Sequence, residues 1–140
     1  MTKLLWIGTV CALCGCSADA PVDVAVNVPI VGTYVGISGD GMSVPYSTMI
    51  PFSDIGLTPV TMLADTIFVS PDGSWTEHGA FRLTTTRGPT VENFSSGPGA
   101  WTLSGTSVKL AEDGHILFNG TVAGSQLSLR SDGHSLLFSR

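Results

Sequence analysis

Glycine recurs through the last forty residues at Gly105, Gly114, Gly124 and Gly133, at intervals of nine, ten and nine, and no other feature constrains the fold as tightly. Each lies in a short turn signal: Ser104-Gly105-Thr106, Asp113-Gly114-His115, Ala123-Gly124-Ser125 and Asp132-Gly133-His134. Asp-Gly and similar pairs supply the positive φ angles of two-residue hairpins, so the spacing predicts a meander of antiparallel strands. Between the turns apolar residues alternate. Trp101 and Leu103, Val108 and Leu110, Ile116 and Phe118 with Val122, Leu127 and Leu129, and Leu136 and Phe138 fall on one face at period two. Five consecutive strands are therefore expected to present one apolar surface.

Upstream, Asp72-Gly73 predicts a hairpin between a strand near Asp65 to Ser70 and a longer one near Trp75 to Arg87, in which Trp75, Phe81 and Leu83 share a face. Gly88-Pro89 ends that strand, and Ser95-Ser96-Gly97-Pro98-Gly99 is read as a break after a short Val91 to Phe94 piece. Val31 to Ser38 is the first strand. No stretch from Ala18 onward carries a helical period, so the fold class is all-β, with eight to nine antiparallel strands. A sheet of that size with one apolar face and no helix to cover it must pack on a second sheet or close on itself, and hairpin connections throughout favour an up-and-down barrel. Two regions are less regular. Val22, Val24, Val26, Val28 and Ile30 alternate with other residues and read as either an edge strand or a loosely ordered linker. Gly39 to Ala64 is too apolar for a solvated loop, and Pro45, Pro51 and Pro59 exclude a regular helix, so it is expected to pack over one barrel end or an outer face.

The N-terminus carries an address. Lys3 is followed by an apolar run from Leu4 to Leu13, too short to span a bilayer as a helix, and then by Leu13-Cys14-Gly15-Cys16, which reads as a lipobox with Cys16 as the acylated residue. The expected organisation is a lipoprotein signal peptide over 1–15, a lipidated N-terminus and tether or edge strand over 16–30, and a barrel domain over 31–140. The alternative is a plain secretory signal cut near Ala18 or Ala20. By resemblance to Gram-negative lipoproteins, Ser17 after the acylated Cys favours the outer membrane, facing the periplasm or the cell surface. All three cysteines lie within the first sixteen residues. A processed chain thus has no disulfide, Cys-based metal site or Cys nucleophile in its folded part. Past the leader, Arg82, Arg87, Lys109, Arg130 and Arg140 face eleven acids without clustering, which argues against nucleic acid or anionic headgroups as partners.

The chain also resembles a group of uncharacterised bacterial lipoproteins with a small lipocalin-like barrel. The residues that carry the resemblance are Gly32-Thr33-Tyr34, Gly41-Met42-Ser43-Val44-Pro45, Val69-Ser70-Pro71-Asp72-Gly73-Ser74-Trp75, Gly99-Ala100-Trp101-Thr102-Leu103-Ser104-Gly105 and Leu136-Leu137-Phe138-Ser139-Arg140. They span about Val31 to Arg140 and are turn and core residues, so the resemblance implies a fold and no activity. The Gly-x-Trp run of true lipocalins is absent, Tyr34 standing in its place.

Candidate chemistry is sparse. His115 and His134 each follow an Asp-Gly turn, which puts them at one barrel end on next-but-one strands, and without a third close ligand they read as solvated turn residues. Ser38 lacks the strand-to-helix elbow of a hydrolase serine, and Gly36-Ile37-Ser38-Gly39-Asp40-Gly41 has no following helix to bind phosphate. No catalytic residue, cofactor or metal is expected. Two readings remain. The first is a membrane-anchored envelope lipoprotein with a structural or protein-interaction role. The second is lipocalin-like binding of a small apolar ligand in the barrel, lined by Trp75, Phe81, Trp101, Phe118 and Phe138. The bulk of those five side chains favours a filled barrel and the first reading.

Overall fold

A computed structural model describes residues 30–52 and 56–140. Ten strands follow in chain order: β1 Gly32–Gly39, β2 Met42–Ser43, β3 Tyr46–Phe52, β4 Gly56–Val69, β5 Ser74–Thr85, β6 Gly88–Ser104, β7 Ser107–Glu112, β8 His115–Ala123, β9 Gln126–Ser131 and β10 His134–Ser139. All pair antiparallel, and no helix is present among the described residues. The leader, Cys16 and the Val22 to Val28 alternation lie outside the described residues.

Closure is made by β1, which pairs with β4 through Gly32–Val35 and with β10 through Val35–Gly39. Eight strands, β1 and β4 to β10, form a closed barrel, as the hairpin spacing predicts and consistent with a lipocalin-like up-and-down barrel. One end carries the Gly105, Gly124 and Asp72-Gly73 turns, the buried Ile30 and the C-terminal Arg140; the other, the mouth, carries three Asp-Gly turns. In those turns Asp40, Asp113 and Asp132 adopt φ of 50°, 49° and 48°, with Gly41, Gly114 and Gly133 also positive, the double left-handed geometry that two-residue hairpins require.

The lower barrel is filled. Tyr34, Ile67, Val69, Trp75, Val108, Leu110, Val122, Leu127, Leu129 and Phe138 are buried there with Ile30, and Trp101 and Leu103 pack against them. Both indoles solve their polar problem locally: Trp75 Nε1 donates to the Ala111 carbonyl at 3.0 Å and Trp101 Nε1 to the Ser70 carbonyl at 2.9 Å.

Three features differ from the sequence reading. Among the described residues the Gly39 to Ala64 region, expected to pack over a barrel end or an outer face, is largely strand: β3 pairs with the first half of β4 from Tyr46 opposite Met62 to Phe52 opposite Gly56. Pro51 is tolerated because β3 is an edge strand, and Pro59 because it precedes Val60, the first β4 residue to pair with β5. Second, β6 runs unbroken through Ser95 to Gly99, where a register shift against Trp75–Glu77 absorbs the Gly-Pro-Gly sequence. Third, Ile116 is 54% exposed rather than inward. Leu110 pairs with Phe118 but Ala111 with Ile116, so Leu117 is an inserted residue that turns Ile116 to the outer face.

Because β4, β5 and β6 outrun their barrel neighbours, their outer halves and β3 continue past the mouth as a four-stranded ribbon. Phe81 holds it together, its ring centroid lying 6.0 Å from that of Phe52 and 6.2 Å from that of Phe94.

Candidate functional site

Between the ribbon and the mouth lies a cleft of about 440 Å³, within the usual range of small-molecule sites. Tyr46, Thr48, Ile50 and Met62 come from the ribbon, Phe118 and Leu136 from the barrel wall, and Asp132 and His134 from the β9–β10 turn opposite. Two glycines let aromatic rings close its sides. A Cβ on Gly79 would collide with the Phe94 ring, and one on Gly39 with the Tyr46 ring.

The floor is acidic. Asp65 and Glu77 are 8% and 4% exposed, the two buried acids among the described residues. Asp65 stands opposite Gly79 and Glu77 opposite Ile67, so on the shared inner face of β4 and β5 the two carboxyls are diagonal neighbours. They are within hydrogen-bonding reach of each other, so that one proton can be shared between them. Burial first, and then the negative charge of Glu77, push the Asp65 carboxyl up to about 8. Glu77 is raised as well, by burial, while hydrogen bonds from Ser96 and Asp65 moderate the rise. Asp65 Oδ1 is left buried without a hydrogen-bond partner, a costly state for an interior acceptor. Tyr46 faces the same floor, and its phenol is raised by burial and by the charges of Asp65, Asp40 and Glu77.

Of the aromatic residues singled out from sequence, the structure brings Phe118 to the cleft. Trp75 lies fully buried beneath, edge-on to Phe118 at 5.7 Å between ring centroids. Phe138 is in the filled core, Trp101 sits beside the Ser70 turn, and Phe81 is in the ribbon. His115 and His134 are both exposed at the mouth, and His134 Nδ1 pairs with Asp40 Oδ2 at 2.7 Å, while the Ser135 amide donates to Asp40 Oδ1 at 2.8 Å. Among the described residues no group of three His, Cys, Asp or Glu is placed to hold a metal ion.

The acid pair escaped the sequence reading although part of its signal was present. Glu77 follows Trp75 by two on the same strand, and Asp65 precedes Ile67 and Val69 at the same parity, so each carboxylate occupies an inward position of an apolar alternation. A larger concavity of about 810 Å³ lies on the outer wall of β7 to β10, lined by Lys109, Asn119, Thr121, Ser128 and Arg130. The mouth cleft is the stronger candidate because it alone joins apolar walls to a buried, unsatisfied polar group. No protein-family model matches the chain, and no curated protein or solved structure matches it.

Proposed function

We propose that the protein is a membrane-anchored envelope lipoprotein, acylated at Cys16, that binds a small, largely apolar ligand at the mouth of its barrel rather than deep in its interior. The observation that carries the binding reading is the 440 Å³ cleft, walled by Met62, Phe118 and Leu136, above a barrel already filled by its own side chains. Ligand pockets join apolar lining to a few convergent polar groups, and Asp65, Glu77 and Tyr46 supply those here. The anchor rests on the leader and lipobox alone.

The neutral fluorophore N-phenyl-1-naphthylamine tests the cleft. Micromolar binding to the full chain with a blue-shifted emission is expected, weakened at least tenfold by Ile50→Arg, which places a charge in the ribbon wall. Absence of binding would sink the reading and leave the structural or protein-interaction role, which the filled lower barrel also supports.

A further inference from the structure

We infer that the cleft selects a ligand with a cationic head, an amine or guanidinium, seated on the Asp65–Glu77 pair with its apolar body against Met62, Phe94 and Phe118. The inference rests on the binding reading above and adds the chemistry of the head.

The first argument is hydrogen-bond accounting. A proton shared by the two carboxyls is spent between them, so what the floor still offers is acceptor capacity, above all the partnerless Asp65 Oδ1. A ligand that only accepts, such as a carboxylate or ketone, leaves that oxygen unsatisfied. A donor head satisfies it.

The second argument is charge. No Lys or Arg lines the cleft. Tyr46 faces the pair from β3, Glu112 approaches Glu77 from β7, and His78 acts on Glu77 from the outer side of β5. Asp40, in the β1–β2 turn, acts on Tyr46 and is paired with His134. Asp132 lines the rim, Gly36 of β1 packs directly on the Asp65 side chain, and β6 contributes the Ser96 hydrogen bond to Glu77. Acids and acceptors therefore surround the floor, and the described neighbours bring no permanent cation to it. With one proton shared, the pair carries a single negative charge in a desolvated place, and a monocation is the species that neutralises it. Where the pair holds two protons, the incoming cation displaces one to solvent. An alkylamine, like a lysine side chain, stays protonated well above neutral pH, so the proton released comes from the pair. Affinity for a cation should therefore rise from pH 6 to pH 9.

The test is titration calorimetry of the full chain, made cell-free and unacylated, with 2-phenylethylamine, 2-phenylethanol and phenylacetate. These share a body and differ in the head. The amine should bind at least tenfold more tightly than the alcohol, the carboxylate should not bind, and the affinity of the amine should rise from pH 6 to pH 9. Asp65→Asn and Glu77→Gln, near-isosteric changes, should each erase most of the preference for the amine. If either variant fails to fold, the wild-type ranking and its pH dependence decide alone. Equal binding of amine and alcohol, or no binding of the amine by a chain that still binds N-phenyl-1-naphthylamine, would overturn the cationic head and leave the cleft reading standing. Failure of every compound, the naphthylamine included, would remove both.

Discussion

Asp65 holds its proton into the neutral range because ionising it would place a second charge beside Glu77 in a site largely shielded from water. Its carboxyl is pushed up to about 8 in the folded protein, against an ordinary value near 4 in an unfolded chain. The folded state therefore binds this proton more tightly. Its contribution to stability is fully present below about pH 4 and is lost as pH rises toward about 8, and Glu77, also raised, acts in the same direction. Thermal melts should show a midpoint that falls from pH 5 to pH 8. Asp65→Asn, neutral throughout, should flatten that fall and melt above the wild type at pH 8; an unchanged slope would mean that another group controls it. Phe118 stands between filled core and cleft, in contact with Trp75 on one side. Phe118→Ala should cost about 3–5 kcal/mol in urea unfolding if the surrounding side chains cannot collapse into the space. A loss well below that range would show that the site is already loosely packed on its cleft side.

At the scale of the strand, the ribbon depends on one bare position. A methyl group on Gly79 would meet both the Phe94 ring and the Ala64 carbonyl, so Gly79→Ala should lower stability by about 1–3 kcal/mol in denaturant melts. It should also loosen the Phe81–Phe94 contact, seen as faster amide exchange over Arg82–Thr85 than in the wild type. The strands of the C-terminal meander were legible because their hairpins are local: Asp113-Gly114 and Asp132-Gly133 fix the register of the residues beside them. Ile116 escaped because one inserted residue, Leu117, reverses the parity that alternation counts. The ribbon escaped because Pro51 and Pro59 read as breakers, and only their pairing partners reveal that neither interrupts a central ladder. The acid pair escaped for the second of these reasons. Asp65 keeps the inward parity of Ile67 and Val69, but its partner lies on the neighbouring strand, a relation that periodicity along one segment does not encode.

For the whole molecule, the proposed residence at the membrane would rest on Cys16. Growth with labelled palmitate should mark the wild-type chain and not Cys16→Ser; label that survives Cys16→Ser and disappears in Cys14→Ser would move the anchor by two residues. Ile30, buried at the filled end, fixes where the chain enters the barrel, and the cleft lies at the opposite pole. Cys16 and Ile30 are fourteen residues apart, a length that reaches at most about 50 Å when fully extended. An anchor at Cys16 would thus join the chain at the filled pole of the barrel, with the cleft at the other pole. The tether and the acids at the rim would then have the height of the barrel between them, so that cargo arriving from the aqueous compartment, or on a partner from it, would meet the rim without passing the anchored end.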